Sequence, residues 1–376
     1  MGKKIKAMLP FFIVLLVALS LPLPAGAADR QEMIRVAIFK GIDQVRIDGT
    51  GILVMDERRE VLRIAAPFTV KSDRRRLSVN GRPVVSLSVS APAVAIVNGK
   101  GYRGTIEVLP AERGVLVVNE LPLEEYLVGL INCEISSLWP LEAVKAQAVV
   151  ARSYALSQKE ARKGALYHLE TTVLDQVYEG CSVEDARAAR GVEETAGEVL
   201  TWNGGVVPAF FHSNCGGHTE AAEQVWSAKL PYLGGVMCRY CLDAPTASWD
   251  LSLPLVKIEN LLRAGGIAVT GLRGIAAGPR NPSGRVTTIR LATVKGIQEV
   301  PATAFRKAIG YTVIRSTNFE VTVVGDTARF IGNGYGHGVG LCQWGARNRA
   351  ADGFSYREIL AYYYPGTVVK KLVEVP

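Results

Sequence analysis

Short runs of alternating apolar and polar residues fill the chain from residue 33 to about residue 118. Runs such as "IRVAIF", "QVRI" and "VVSLSVS" put every second side chain on the same face of an extended strand. Gly, Asn or Asp residues separate the runs, as expected for turns between strands. A period of two, repeated this often, predicts an all-β module and gives no indication of chemistry.

Helical patterns follow this module. Residues 140–163 predict the longest helix, because Pro140 occupies a first-turn position, alanines recur and Gly164 supplies a stop. "LPLEEYLVGLI" and "PLVKIENLLRAG" predict shorter helices, while residues 284–324 return to a strand-like pattern. Ser355 and Glu358 have capping-box spacing before a C-terminal helix.

These patterns predict an α+β fold that forms one mixed unit. We expect a β-rich N-terminal half at residues 28–118 and a core at residues 119–376. The core contains the central helical segment and a glycine-rich C-terminal region, "GNGYGHGVGLCQWGA". Glycine at this density allows a backbone to fold tightly or to approach a ligand closely.

The first 27 residues have the pattern of an export signal. Lys3, Lys4 and Lys6 precede an uncharged, mostly apolar stretch at residues 8–23, and Ala25-Gly26-Ala27 offers small residues for cleavage. Prolines interrupt the apolar stretch, but a retained N-terminal anchor stays open as the alternative. We expect an exported protein that is extracytoplasmic, in the cell wall or anchored in the membrane and facing the wall.

Charge and motifs exclude several function classes. The formal net charge is +8, and loss of the three N-terminal lysines lowers it to +5, a mild basicity that suits anionic wall polymers. The chain has no block of five or six basic residues, so we expect no nucleic acid partner. H-E-x-x-H, G-x-S-x-G and G-x-x-x-x-G-K motifs are absent from the sequence.

Glu134 is the strongest candidate for chemistry. It follows Cys133, precedes Ile135 and lies close to Trp139 in a mostly apolar segment. Apolar surroundings disfavour a carboxylate, so the pKa rises and the group can hold a proton near neutrality, as a general acid must. The alternatives are a solvent-facing glutamate or a helix-capping acid.

Other polar residues stand in apolar or glycine-rich segments and are candidates for a binding site. Gln147 and Arg152 lie in "AQAVVARSYAL", where the arginine either reaches solvent or pairs with a buried acid. Little side-chain bulk surrounds the polar residues of the glycine-rich run, although ordinary turn chemistry would also explain them. We expect five residues to bind substrate: Gln147, His212, Ser213, His337 and Gln343.

Six cysteines, at positions 133, 181, 215, 238, 241 and 342, are too few for a disulfide scaffold in 376 residues. Cys238 and Cys241 form a C-x-x-C pair downstream of Cys215. Outside the cytoplasm, a local disulfide is one interpretation. With His212 and His218 the three thiols also make a plausible zinc set, and a thiol nucleophile is a third alternative.

Several long segments, in order, resemble the stage II sporulation protein D family (SpoIID/LytB domain). The matching text includes "LPLEEYLVGLINCEISSLWPLEAVKAQAVVARSYAL", "FFHSNCGGHTEAAEQVW", "PSGRVTTIRL" and "GNGYGHGVGLCQWGARNRAADGFSYREILAYYYPGT". The likeness runs from about residue 33 to residue 370, which is nearly the whole expected mature chain.

The resemblance implies a lytic transglycosylase that cleaves peptidoglycan between N-acetylmuramic acid and N-acetylglucosamine. The product carries a 1,6-anhydro ring, because the muramic 6-hydroxyl attacks in place of water. The family's catalytic glutamate falls on Glu134 and its helix arginine on Arg152. We expect Arg152 and the glycine-rich run around His337 to form opposite walls of one glycan cleft that also contains Glu134.

The resemblance also bears on cofactors and partners. It implies no required cofactor, and a structural zinc stays open at the cysteines named above. Expected partners are peptidoglycan strands, a cell-wall amidase and membrane-bound wall-remodelling proteins. A non-catalytic, wall-binding amidase enhancer is the alternative function within the same family.

Two departures from the family pattern stand out. Asn132-Cys133 and Ile135 flank the glutamate, where members often have a proline-containing turn and a methionine. Some members bind zinc through a histidine and two cysteines before a Q-x-Y turn. "YHLETTVLDQVYEG" keeps His168 but no cysteine, so we expect that zinc site to be absent.

Overall fold

The structure is a computed structural model that describes Gly2, residues 31–73 and residues 76–375. The predicted signal at residues 1–27 therefore lies, apart from Gly2, outside the described residues. Met33–Pro376 forms one compact unit. Within the part of the chain that is described, no helix has the length and apolarity that a membrane crossing requires.

The N-terminal part is built from strands, as the alternation predicts. In chain order they are β1 (Met33–Ile42), β2 (Gln44–Asp48), β3 (Leu53–Asp56), β4 (Val61–Leu62), β5 (Phe68–Asp73), β6 (Arg76–Val79), β7 (Arg82–Val84), β8 (Leu87–Ser90), β9 (Ala95–Val97), β10 (Lys100–Tyr102), β11 (Thr105–Pro110) and β12 (Val115–Pro122).

Two sheets contain these strands. One has the order β1-β12-β11-β8-β3-β4 and is extended beyond β1 by the short parallel strand β13 (Leu169–Glu170). The other has the order β10-β9-β2-β5-β6-β7. Alternate residues of both sheets, such as Val36, Val45 and Val70, are fully buried in one core, so the period of two is confirmed as strand structure.

The central helices cover this core. The helices of the unit are α1 (Leu123–Glu134), α2 (Leu141–Ala161), α3 (Ala186–Glu193), α4 (Ala222–Trp226), α5 (Leu255–Ala264), α6 (Ala302–Ile309), α7 (Gln343–Ala351) and α8 (Tyr356–Tyr363). Pro122 and Pro140 precede α1 and α2, as predicted. One face of α2 packs on the strand core, while Val149 and Val150 belong to a second core shared with α7 and α8.

The remaining strands complete two regions of the unit. They are β14 (Glu198–Trp202), β15 (Gly205–Val206), β16 (Phe211–His212), β17 (Ser248–Pro254), β18 (Leu272–Ala277), β19 (Thr288–Thr293), β20 (Gly296–Pro301), β21 (Phe319–Val324), β22 (Thr327–Asn333), β23 (Leu341–Cys342) and β24 (Val368–Lys371). β16 and β23 pair in parallel, and β24 pairs with β14.

Residues 248–333 have a hydrophobic core of their own, which the sequence patterns did not separate. Sheets β17-β22-β21 and β18-β19-β20 pack with α5 and α6 around Phe305 and Phe330. The expectation of a strand-like run over residues 284–324 is wrong for α6. There Pro301 precedes a helix, and Phe305 and Ile309 at a spacing of four bury one face of it.

The C-terminal helix α8 begins with the predicted capping box. The Ser355 side chain accepts a hydrogen bond from the Glu358 backbone, and the Glu358 carboxylate accepts one from the Ser355 N–H. We expect Ser355→Ala to lower the free energy of unfolding by about 1 kcal/mol, since a lost N-cap leaves helix N–H groups unpaired. Urea unfolding measures this, with exposed Ser252→Ala on β17 as the control. Equal losses for both variants would contradict the prediction.

Candidate active site

Glu134 is the last residue of α1, so the helix delivers its carboxyl to one defined point. The last turn of α1 contains no basic residue that could pair with it. The Glu134 side chain is half-buried, and one carboxylate oxygen accepts a hydrogen bond of 3.0 Å from the Val177 N–H. The Gln343 side-chain amide donates a second hydrogen bond to the same carboxyl.

Burial dominates the ionisation of this carboxyl. Desolvation raises the pKa of Glu134 to about 7, although the two hydrogen bonds act in the opposite direction. The negative end of the α1 dipole also disfavours an anion at this position. A carboxyl with this pKa holds a proton in a large fraction of molecules at neutral pH, as the apolar flanking sequence indicated.

The loop segment that carries Val177 places its N–H against the acid. On one side of Val177, the buried Gln176 accepts a hydrogen bond of 3.1 Å from the Tyr126 hydroxyl. On the other side, the Tyr178 hydroxyl donates to Asn119 at 3.0 Å. Because both neighbours of Val177 are anchored in the protein interior, its backbone donor is held in place before any ligand binds.

Gln343 joins the glycine-rich segment to the helical segment. It is the first residue of α7 and is buried, and its Nε2 donates a hydrogen bond of 3.4 Å to the side-chain Oε1 of Gln147 on α2. The Gln147 Nε2 is buried and has no hydrogen-bond partner among the described residues. Both predicted glutamines therefore belong to the surroundings of Glu134, and Gln147 keeps one amide donor unused.

Arg152 is placed elsewhere, and the expectation that it opens onto the Glu134 cleft is wrong. Its fully buried guanidinium forms a two-pronged ion pair with Glu124, with distances of 2.8 and 2.6 Å. It also donates to the Glu198 carbonyl at 3.0 Å. Glu124 lies in the first turn of α1 and Glu134 in the last, about 15 Å apart at the helical rise. Arg152 holds α1 against α2 and does not contact the acid.

His337 and His212 lie together in an aromatic group with Phe210 and Trp226. The His337 ring centre is 5.0 Å from Trp226, 5.5 Å from His212 and 6.3 Å from Phe210. Phe210 in turn lies 5.8 Å from Tyr154, a residue whose ionisation senses the Glu134 charge. Trp226 is 43% exposed, so this group offers an aromatic surface to the solvent.

The two imidazoles are suited to packing and hydrogen bonding as neutral rings. Desolvation lowers the pKa of His337 to about 3, and its Nδ1 accepts a hydrogen bond of 3.0 Å from the Val339 N–H. Burial also lowers the pKa of His212, whose Nδ1 lies 3.1 Å from the Val339 carbonyl oxygen. His212 is only 4% exposed, so direct substrate contact, as predicted, would require the ring to become accessible.

A second aromatic pair comes from residues that lie close in sequence to Glu134 and to Gln343. Trp139 follows Glu134 by five residues, Trp344 follows Gln343, and their ring centres are 5.0 Å apart. The Arg347 guanidinium lies over Trp344 at 5.2 Å. The connecting loop is fixed by Ser137, whose hydroxyl donates to Asp185 at 2.6 Å. Both tryptophans are half-buried and keep part of each ring accessible.

The glycine-rich run packs against the protein's own backbone and not towards an open cleft. A Cβ at Gly340 would lie 2.0 Å from the Phe210 carbonyl oxygen, and one at Gly338 would lie 2.5 Å from the Arg285 guanidinium. Both glycines have positive φ. The expectation that this backbone approaches a ligand is therefore corrected: the glycines let residues 334–340 lie directly on residues 210–216 and on Arg285.

Ser213 contributes through its backbone. Its carbonyl accepts a hydrogen bond of 3.1 Å from the Trp344 N–H, at the start of α7. Cys215, Cys238 and Cys241 come together as predicted, and Cys342 joins them. Neither His212 nor His218 belongs to this group, because the His218 ring is turned to the Thr219 carbonyl.

Comparisons with known proteins indicate the family of this chain. A family model described as stage II sporulation protein matches residues 111–202, which contain Glu134. A second, described as a domain of unknown function (DUF8618), matches residues 248–340. The stage II sporulation protein D of Bacillus subtilis is 31% identical over 280 residues, which cover 68% of this chain and 76% of that protein.

The chain belongs to the stage II sporulation protein D family. An uncharacterized protein of Brachyspira hyodysenteriae is 35% identical over 271 residues, 72% of each chain. The amidase enhancer of Bacillus subtilis is 30% identical over 292 residues, 65% of this chain but 40% of the enhancer's length. Membership in the family, expected from the sequence, is confirmed.

Sequence reasoning missed several residues of this site. Val177 contributes a backbone N–H, which leaves no mark in the sequence. Trp344 and Trp226 lie in the same segments as the predicted residues Gln343 and His212 but were not themselves predicted. Cys342 could have been found, because it directly precedes Gln343 and supplies the fourth thiol that a C-x-x-C plus one cysteine lacks.

The position of Arg152 leads to a prediction about stability. We expect Arg152→Ala to lower the free energy of unfolding by about 2–3 kcal/mol, because Glu124 loses a charge-assisted pair and the Glu198 and Val192 carbonyls lose a donor. Arg152→Lys recovers only part of it, since an ammonium lacks the planar fork. Urea unfolding measures both, with exposed Arg263→Ala as the control. Full stability of Arg152→Ala together with a large loss of activity would contradict this structural role.

Proposed function

We propose that this protein is an exported lytic transglycosylase that cleaves peptidoglycan glycan strands in sporulation or wall remodelling. The observation that carries the proposal is the Glu134 carboxyl, held at the end of α1 with a pKa raised to about 7. The names of the Bacillus subtilis relatives support the setting, since one is a stage II sporulation protein and another an amidase enhancer.

The proposed reaction uses this one carboxyl twice. Protonated Glu134 gives its proton to the glycosidic oxygen between N-acetylmuramic acid and N-acetylglucosamine, and the C1–oxygen bond breaks. The muramic 6-hydroxyl bonds to C1 and forms the 1,6-anhydro ring. The hydroxyl proton passes to the Glu134 carboxylate, which restores the starting acid. No water enters the product, so proton and bond counts balance.

The surroundings of Glu134 suit a one-carboxyl mechanism. Hydrolysis with inversion or retention needs a second free carboxylate on the other side of the sugar. Asp175 is an acidic side chain hydrogen-bonded to Tyr154 in this region, but that side chain is only 7% exposed and is paired with Arg162 at 2.8 Å. Among the described residues, the groups that shift the Glu134 pKa include no acidic side chain.

The aromatic surfaces support a glycan as the substrate. The Trp139–Trp344 pair and the Phe210–Trp226–His337 group are accessible rings of the kind against which the apolar face of a sugar packs. The unused Gln147 amide is only 1% exposed, so its donation to a sugar or acetamido oxygen would require the amide to become accessible. We assign Gln343 to holding the acid and His337 to the aromatic wall.

The alternative is a wall-binding protein that stimulates an amidase without cutting glycan. The similarity to an amidase enhancer favours it, and the same aromatic surfaces would bind strands in either case. The two functions differ in the product that they leave, because only a transglycosylase generates anhydro-muramyl ends. A cell-wall amidase is a proposed partner in both.

The decisive experiment is a digest with the purified protein. Intact and amidase-treated peptidoglycan are incubated with wild type and Glu134→Gln, and mass spectrometry counts 1,6-anhydro ends. We expect wild type to produce them and Glu134→Gln to be slower by at least about a hundredfold, since glutamine has no transferable proton. Glu160→Gln, an exposed acid on α2, is the matched control. Absence of anhydro ends with wild type on both substrates would sink the proposal.

The raised pKa predicts a pH profile. The acid must be protonated at the start, so kcat/KM should fall by about tenfold per pH unit above pH 7. Stability gives an independent readout: a folded pKa near 7 against about 4.5 unfolded contributes stability below pH 4.5 that is lost as the pH rises to 7. At pH 8, the free energy of unfolding of Glu134→Gln should therefore exceed that of wild type by roughly 1–3 kcal/mol. A flat rate profile between pH 6 and 9 would contradict the assignment.

A further inference from the structure

Four buried thiols converge on one point beside the proposed active site. The Sγ atoms of Cys215, Cys238, Cys241 and Cys342 all lie within 4.8 Å of one another, and each residue is fully buried. Four sulfurs at 2.3 Å from a tetrahedral zinc ion would be about 3.8 Å apart. The observed separations match that geometry, including 3.4 Å between Cys215 and Cys241.

We propose that these four cysteines bind one structural zinc ion. Soft thiolates in a closed, four-coordinate set are the ligands of structural zinc sites, with no open position for substrate. Cys238 and Cys241 form the C-x-x-C half of the site, Cys215 follows β16 and Cys342 ends β23. The site would thus tie together three segments that lie far apart in the sequence.

The groups around the sulfurs fit thiolates. The Cys215 N–H donates to the Cys342 Sγ at 3.3 Å. The Tyr363 hydroxyl lies 3.1 Å from the Cys238 Sγ and can donate to it. Gly345 allows this approach, because a Cβ there would lie 2.0 Å from the tyrosine oxygen. Such donors stabilise the negative charge of a metal-bound sulfur.

A buried arginine distinguishes a zinc tetrathiolate from disulfides. Arg285 is 1% exposed and donates to the carbonyls of Cys215 at 2.7 Å and His218 at 2.8 Å. Among the described residues, its guanidinium has no carboxylate hydrogen bond, and Glu220 acts on it only at longer range. Four thiolates and Zn²⁺ carry a net charge of −2, which compensates the guanidinium. Two disulfides would leave a buried cation with little compensation.

The zinc site also affects the position of the Glu134 carboxyl, and this part of the inference rests on the proposed function. Cys342 is bonded directly to Gln343, whose amide holds the Glu134 carboxyl. A zinc ion on Cys342 would therefore fix the start of α7 relative to the acid. Zinc acts here as a positioning element and takes no part in the reaction.

The test measures metal and thiols, so its outcome does not depend on transglycosylase activity. The full chain is purified without chelator or reductant and analysed by mass spectrometry for metals. We expect about one zinc per chain. In a second sample, denatured with chelator and iodoacetamide but no reductant, all six cysteines should be alkylated. Iron, no metal, or disulfide-linked peptides from these four positions would overturn the proposal.

Variants localise the ion. Cys342→Ser should lose most of the zinc, whereas Cys181→Ser, a half-buried cysteine outside the cluster, should keep it. Tyr363→Phe keeps all four ligands and should weaken zinc binding about tenfold in competition with a chelator. If Cys342→Ser does not fold, the metal content of the wild type and the zinc affinity of Tyr363→Phe still test the proposal. Full zinc in folded Cys342→Ser, or unchanged affinity in Tyr363→Phe, would contradict the site.

Discussion

The desolvated Glu134 carboxyl is the constraint on which the other parts of the site depend. A carboxyl at the end of a helix with no basic partner would be stable as an anion if water surrounded it. Here protein surrounds it, and its pKa rises to about 7. This holds as long as the loop carrying Val177 and the start of α7 stay packed against the end of α1.

Each of those packed segments is anchored by groups that have no chemical role. Gln176 and Tyr178 hold the loop segment that carries Val177 through hydrogen bonds to Tyr126 and Asn119. The ion pair between Glu124 and Arg152 holds the first turn of α1 against the middle of α2. Three aromatic rings surround Arg349 at 4.0 to 4.8 Å and fix the end of α7. The position of the Glu134 carboxyl is thus fixed by several buried polar contacts, each of which contributes a modest free energy.

The additional region at residues 248–333 has its own core and yet contributes to this scaffold. Its Arg285 reaches the carbonyls beside the cysteine cluster, and its Ser283 and Asn281 donate to the buried Glu220. Glu220 lies two residues before α4, which ends at the exposed Trp226 of the aromatic group. The region therefore supports both the cysteine cluster and one aromatic surface without supplying the acid.

The sequence by itself determined the local elements, because helix and strand periods, prolines and capping residues act within a few positions. The strands before residue 122, the starts of α1 and α2 and the Ser355 capping box all follow from such local patterns. It also singled out Glu134, since apolar neighbours in the chain are neighbours in space at a helix end. Contacts between residues that are distant in the sequence needed the tertiary structure. The chain pattern could not show whether Arg152 pairs with Glu124 or Glu134, that glycines 338 and 340 face Arg285 and Phe210, or that Cys342 completes the thiol cluster. Those partners are selected by how β16, β23 and α7 pack, and packing is a property of the whole folded unit.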